Sequence, residues 1–355
     1  MGRSQLRCTH RWGLLSFILI PFSPTSAPTQ SFSRIRLDTV LHRVDGRSGG
    51  EVAEFGTING GALSIAGLAI VIDRAKNRLV VLGNRSNKQL ISTLGRTGSG
   101  PGEFRYPLGL RWFDSRTLTV FDDRLARLTF YSVQDGELRY NRDEVLSERP
   151  ADFCFFNQRL VTFRYDATGR SILHWAQTRS LRQLSTGSPF IVGSPLVESA
   201  TSRGLILCLP EHGLVIAGSL YAGELRAYSP AGNLVWRRQF PEYIPLKLRE
   251  LPSGFVFEGT RQGEDVVNHM LVSICRVDHE HIMLQFGLAV LRKHRWSDLT
   301  FARVETRILR SRDGTLVGSQ SDLPVILAIN GTRALTAGGE PEPWVELRRL
   351  QFSRQ

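Results

Sequence analysis

Between Ala69 and Tyr131 the chain repeats one rhythm: a short apolar run, a polar turn, another apolar run. Ala69 to Asp73 and Leu79 to Leu82 flank the turn Arg74-Ala75-Lys76-Asn77, and Gln89 to Leu94 follows. Leu108 to Leu110, Leu118 to Phe121 and Leu128 to Tyr131 repeat the arrangement around Asp114-Ser115-Arg116 and Asp122-Asp123-Arg124, and the unit closes on Asp135-Gly136, a hairpin signal. Runs this short, bounded by Asp, Asn, Gly and Ser, read as β-strands. No long helical period appears anywhere. Four strands within about forty residues match the length of one propeller blade.

Between these two units lies Leu94 to Leu110, L-G-R-T-G-S-G-P-G-E-F-R-Y-P-L-G-L. Gly95, Gly98, Gly100 and Gly102 with Pro101 cannot continue a strand, so the chain turns here. Glu103 and Phe104 follow, Phe104 being one apolar residue on a polar turn. Pro107 stands where a strand can begin. A glycine-rich loop can also cradle phosphate. This one lacks the G-K-[ST] ending, has no dinucleotide-fold spacing, and Pro107 precludes a following helix, so the structural reading is preferred.

The pattern G-x-x-G-S-G-P-G-E-F, then P-x-G-L, then L-T-V-F-D and a closing D-G resembles the NHL-type repeat. It is most similar to secreted bacterial six-bladed β-propellers of unassigned function, over about Leu79 to Leu138. The resemblance implies that the glycine-rich segment links the outer strand of one blade to the inner strand of the next, with Phe104 packed between the two blades.

Further inner hairpins recur every forty to sixty residues or so, which gives about six blades. Blade one is expected from about Ile65 to Leu94, and blade two is the central unit. Blade three holds Ala151 to Phe156, Leu160 to Phe163 and Ile172 to Ala176. Blade four holds Gly204 to Cys208, Gly213 to Ala217, Glu224 to Tyr228 and Leu234 to Trp236. Blade five is expected to start with the hairpin Lys247 to Leu251 and Phe255 to Phe257. The last blade is expected from about Phe301, with Thr306 to Leu309 and Thr315 to Gly318 as one of its hairpins. Arg34 to Leu41 alternates polar and apolar and is expected to complete that blade. The predicted fold is all-β: a single six-bladed β-propeller of four-stranded antiparallel blades over residues 32–355.

Residues 1–31 read as a signal and processing region. Arg3, Arg7 and Arg11 precede the apolar core Gly13 to Ile20, and small residues follow. The core is too short to span a bilayer well, so no transmembrane segment is expected in the mature chain; an uncleaved anchor is the lesser alternative. The expected location is secreted or periplasmic. Beyond the signal, Cys154, Cys208 and Cys275 each sit in an apolar run and read as buried small hydrophobes, with one disulfide at most. No C-x-x-C spacing supports a zinc ribbon or a redox pair.

A net charge of +12 is carried almost wholly by arginine, scattered through turns without forming one run. Some NHL propellers bind RNA, which is a second alternative. An exported protein does not routinely meet RNA, so nucleic acid is the disfavoured partner. Propeller function falls to loops at one end of the channel. The candidate binding residues are the turn residues Asp122, Asp123, Arg124, Arg164, Tyr165 and Asp166, with a protein or small molecule as ligand and the chain as a monomer. No catalytic or metal-ligating set is assigned and no cofactor is predicted. A single divalent cation is the alternative, as in six-bladed lactonases or lyases, with Asp73, Asp152, Asn157 and Glu258 near strand ends. His279-Glu280-His281 could begin a metal site on a strand, but Asp278 to His281 reads instead as a hairpin turn. His174 reads as a locally satisfied strand residue.

Overall fold

The structure is a computed structural model that describes residues 32–45, 55–65, 67–85, 88–176, 184–251, 254–258, 260–262, 265–291, 299–339 and 343–354. The expected signal region 1–31 lies outside them. The strands form six antiparallel blades whose inner strands neighbour one another in a closed ring. After β1 (Phe32–Asp45), blade one comprises β2 (Ile58–Leu63), β3 (Ala69–Asp73), β4 (Arg78–Arg85) and β5 (Lys88–Leu94). Blade two comprises β6 (Pro107–Trp112), β7 (Thr117–Asp122), β8 (Arg127–Gln134) and β9 (Glu137–Val145). Blade three comprises β10 (Asp152–Phe156), β11 (Arg159–Asp166), β12 (Ser171–Trp175) and β13 (Leu184–Thr186). A short helix, α1 (Pro195–Thr201), leads into blade four: β14 (Gly204–Leu209), β15 (Leu214–Ser219), β16 (Glu224–Tyr228) and β17 (Leu234–Gln239).

Two expectations for the last third of the chain are corrected. The hairpin β18 (Lys247–Leu251) with β19 (Gly254–Glu258) is a separate two-stranded sheet, not the start of blade five. The inner strand of blade five is β21 (Asp265–Arg276), preceded by the short edge strand β20 (Thr260–Gln262). It is followed by β22 (His281–Leu291), β23 (Leu299–Arg310) and β24 (Leu316–Gln320). The strands around Thr306 and Val317 are therefore the outer pair of blade five, not part of the last blade. That blade is β25 (Val325–Asn330), β26 (Arg333–Gly338) and β27 (Trp344–Arg354), completed by β1. The β18–β19 hairpin supplies a strand signal ahead of the inner strand of blade five, which moves the expected boundary of the last blade forward to β23 and β24; Met270 to Ile274 lie in blade five, and Val325 to Ile329, Ala334 to Thr336 and Trp344 to Leu347 in the last blade, as expected. Blade one also begins earlier than expected, because Gly60 and Gly61 weaken the apolar signal of β2.

The core is divided among the blade interfaces. Six clusters of buried apolar side chains are present among the described residues, and each is drawn from two neighbouring blades. Phe104 shows how the connecting loop takes part. It is fully buried beside Ile70, Ile72 and Leu79 of blade one and Leu118, Val120 and Tyr131 of blade two. Gly95, at φ +81°, lies against its ring; a Cβ there would sit 2.5 Å from two ring carbons. The loop is fastened by Arg127, which donates to the carbonyls of Ser99 (3.1 Å), Gly100 (3.2 Å) and Glu103 and pairs with Asp143 at 3.1 Å. The Glu103 carboxylate accepts from the Gly100 N–H at 2.8 Å and from Arg96 at 2.8 Å. The loop presents carbonyls inward to an arginine, the opposite of what a phosphate cradle requires.

Ring closure comes from the two ends of the sequence. β1 pairs antiparallel with β27, with Ile35 opposite Phe352 and Val44 opposite Val345. Cys154 and Cys208 form a disulfide across 54 residues, joining the inner strands of blades three and four. This is the one disulfide that the three cysteines allow; Cys275 is free and buried, as expected. Their pairing was not visible in the sequence because it depends on β10 and β14 being neighbours around the ring.

Two measurements test this packing. Phe104→Ala should lower unfolding free energy by about 3–5 kcal/mol in denaturant titration, the usual cost of emptying a buried aromatic site. A loss under about 1 kcal/mol would mean that the ring does not bridge the blades. Reduction of the disulfide, or Cys154→Ser with Cys208→Ser, should cost about 2–4 kcal/mol, since a long loop in the unfolded chain is released.

Candidate functional site

The turn Asp122-Asp123-Arg124 folds as it does because Asp122 ends β7 inside the protein. Its carboxylate is fully buried and accepts three backbone N–H groups, from Arg105 (2.7 Å), Tyr106 (2.9 Å) and Leu125 (3.0 Å). Asp73 ends β3 in the same way, accepting from Gly56 (3.1 Å), Thr57 (3.3 Å) and Arg78 (3.2 Å). An aspartate at the end of the second strand therefore binds the segment entering its own blade. With Asp122 so occupied, the next residues, Asp123 and Arg124, project beyond the ring.

They border a cavity of about 1060 Å³ at the end of the ring where the inner strands begin. Its walls come from four blades: Arg74 from blade one, Tyr106, Asp123 and Arg124 from blade two, Glu148, Arg149 and Arg164 to Thr168 around blade three, and Ser199, Ser202 and Arg203 at the entry to blade four. Five of the six candidate residues thus line one cavity: Asp123, Arg124, Arg164, Tyr165 and Asp166. The sixth, Asp122, is the anchor beneath it. Arg74, Tyr106, Arg149, Arg203 and Ser202 were not singled out from the sequence. Aligning Asp73 with Asp122 would have placed Arg74 at this end; Arg149 and Arg203 lie in connectors whose position only the ring determines.

The electrostatics of the walls are uneven. Arg164 is neutralised by Glu148. Arg74 and Arg124 lie instead near the ring of Tyr106, 5.2 and 5.6 Å from its centroid, and Arg74 donates to its hydroxyl at 3.1 Å. Arg149 donates to the Arg124 carbonyl at 3.4 Å. No described carboxylate forms an ion pair with Arg74, Arg124, Arg149 or Arg203, so a positive field faces the cavity. Ser202 adds a buried hydroxyl with no protein partner.

The far wall is held by α1. Ser194 caps it, its hydroxyl accepting from the Val197 N–H at 3.3 Å. Glu198, 1% exposed, accepts from Tyr165 (2.7 Å), from the Gly193 N–H (3.3 Å) and from Arg170 (3.0 Å to its Nε). The Arg170 guanidinium holds this carboxyl below the usual carboxylate range; burial works against the shift, and the Tyr165 and Gly193 bonds add to it. Tyr165 is thereby fixed as the post between blade three and the helix.

The residues considered for a cation are otherwise engaged. Asp152 is buried and binds Arg111 (2.7 and 2.8 Å) and the N–H groups of Phe153 and Ile206, each at 2.9 Å. Asn157 sits at φ +49° in the turn at the opposite end of blade three from the cavity. The Glu258 side chain lies outside the described residues. His281 begins β22 and bonds Asp278 at 3.0 Å, while His279 lies in the turn against His212, ring centroids 4.7 Å apart. His174 is buried between Ser185 (2.8 Å) and the Arg164 carbonyl (3.2 Å), satisfied locally. Among the described residues no three His, Cys, Asp or Glu side chains converge as a metal site, and no helix is long and apolar enough to cross a membrane.

Comparison with solved structures agrees on architecture. A member of the DUF4221 family from Bacteroides vulgatus superimposes with a TM-score of 0.60 at 10% identity, covering 92% of this chain and 100% of that one. The chain is a six-bladed β-propeller. A predicted exported protein from Bacteroides fragilis follows at TM-score 0.51, 9% identity and 92% and 98% coverage. A virginiamycin B lyase from Staphylococcus aureus gives 0.48 at 8% identity, with 89% and 99% coverage. At identities this low the two Bacteroides structures show a shared fold alone. No protein-family model and no curated protein matches the sequence.

The Glu198 cluster generates a pH prediction. A carboxyl whose folded pKa is depressed contributes stability above its unfolded pKa and loses it as pH falls through the folded value. Wild type should therefore melt above Glu198→Gln at neutral pH, and the gap should close as the solution is acidified toward about pH 3. A gap that persists unchanged in acid would show that the charge of Glu198 is not what holds the helix.

Proposed function

We propose that this propeller is an extracytoplasmic binding module, acting as a monomer and recognising its ligand through the loops of blades one to four. The observation that carries the reading is the cavity itself. Its volume is that of ligand sites in general, its walls converge from four blades, and it holds guanidinium groups with no carboxylate partner among the described residues. Side chains that served only to hold the turns would be expected to pair with each other.

Location outside the cytoplasm is supported by two features. The Cys154–Cys208 disulfide suits an oxidising compartment. The basic and apolar residues from Arg3 to Ile20 have the layout of an export signal. The kinship to NHL-type repeats rests on the motif from Leu79 to Leu138 and is part of this proposal. A metal-dependent lactonase or lyase reading would need carboxylates free to face the channel, and those of Asp73 and Asp152 are spent on backbone N–H groups and arginines. Binding of RNA gains no support from the arginines, many of which are paired within the blades.

The test is a thermal-shift screen of soluble metabolites, saccharides and peptides on the mature protein and on Ala167→Trp, which places an indole in the cavity wall. A ligand at one hundred times its Kd raises stability by about 2.7 kcal/mol. Ligands that stabilise wild type and not Ala167→Trp are expected, with the shift retained after dialysis against a chelator. Equal shifts in both proteins would move the site elsewhere, and shifts lost on chelation would favour the metal reading.

A further inference from the structure

We infer that the ligand of this cavity is an acidic saccharide: a short sugar chain bearing carboxylate or sulfate groups. The inference rests on the cavity-binding reading above and specifies its chemistry. Three features of the walls carry it.

The first is charge. Arg74, Arg124, Arg149 and Arg203 face the cavity with no carboxylate partner among the described residues. The guanidinium fork matches the planar or tetrahedral oxygens of carboxylate and sulfate. Two of these groups are steadied against Tyr106, which fixes their position while leaving most of their N–H donors unspent. An ordered, unpaired guanidinium in a concave site is a receptor for an oxyanion.

The second is the presence of acceptors on the same walls. Asp123 and Asp166 line the cavity with Arg124 and Arg164; Asp166 accepts the Thr168 N–H at 3.0 Å on one oxygen, and neither carboxylate forms an ion pair among the described residues. A carboxylate repels a bare polyanion, so inorganic phosphate or a small dicarboxylate does not explain it. It accepts hydrogen bonds from vicinal hydroxyls, which a sugar ring supplies in numbers. A peptide of acidic residues offers about one N–H per residue and no hydroxyls, so it would leave these acceptors facing its own charge.

The third is the hydroxyl-bearing residues and the size of the space. Thr168 and Ser199 lie on the same lining. The four blades surround a space of about 1060 Å³, which suits a chain of a few sugar units more closely than a single ion.

Calorimetric titration of the mature protein with trigalacturonate and with a sulfated disaccharide tests the class and separates the two sources of charge. The controls are the methyl-esterified trigalacturonate, maltotriose and triglutamate. At least one acidic saccharide should bind, about tenfold or more tighter than its uncharged counterpart and than triglutamate. Its affinity should fall as salt rises, and Arg124→Ala and Arg203→Ala should each weaken it by about tenfold. Ala167→Trp should abolish it. The inference is overturned if the esterified or neutral sugar binds as well as the acidic one, if triglutamate binds as tightly, or if neither acidic saccharide binds. When Ala167→Trp removes binding of such a neutral or peptide ligand, the cavity reading stands and only the ligand class falls. Binding that survives Ala167→Trp unchanged overturns both.

Discussion

Every blade of this protein depends on being covered on both faces. A four-stranded sheet with apolar side chains above and below is not stable alone in water. Here each of the six apolar clusters is made by two blades, so none is complete until its neighbours are in place. The interface that closes the ring in sequence order is the one between blade six and blade one, where Val44, Leu335 and Val345 meet Leu63, Val71 and Val80. Its side chains include Val44 of β1 and Val345 of β27, opposite each other where the first described strand pairs with the last. That non-local pairing is the condition on which the ring, and so the position of every loop, depends.

A closed ring makes a rigid rim. Asp73 and Asp122 tie the segment entering a blade to the end of its second strand, so the turn residues that follow are held at defined places. The disulfide adds a covalent link between blades three and four, beneath the part of the rim where α1 is inserted. Glu198 then joins the helix to blade three through Tyr165 and Arg170. The cavity is therefore assembled from stiff parts, and its arginines can remain unpaired because the chain supporting them is satisfied elsewhere. Arg127 and Arg164 show the alternative: arginines turned to internal carbonyls or paired with Glu148.

Much of this architecture was legible locally. Apolar runs separated by Asp-rich turns predicted the strands of blades one and two, and the glycine-proline segment predicted the joint that Phe104 fills. The alternation from Arg34 to Leu41 predicted a strand suited to completing the last blade. Legibility failed where local signals compete. The β18–β19 hairpin has the strand pattern of a blade but lies outside the ring, and β2 is masked by its glycines. The turns that border the cavity are visible in sequence as Asp, Arg and Tyr at a strand end, yet Asp122 is buried beneath the rim while Asp123, next to it, lines the cavity.

Local residue patterns specify the class of the fold, the rough length of its repeat and the chemical character of its turns. These follow from side-chain period, glycine and proline geometry, and hydrogen-bonding capacity, all properties of a few consecutive residues. Which turns face one another, that Cys154 meets Cys208, and that arginines from four blades share a cavity all follow from the assembled ring. Those are distances between residues tens of positions apart, and they are fixed by the closing of the ring rather than by any local preference.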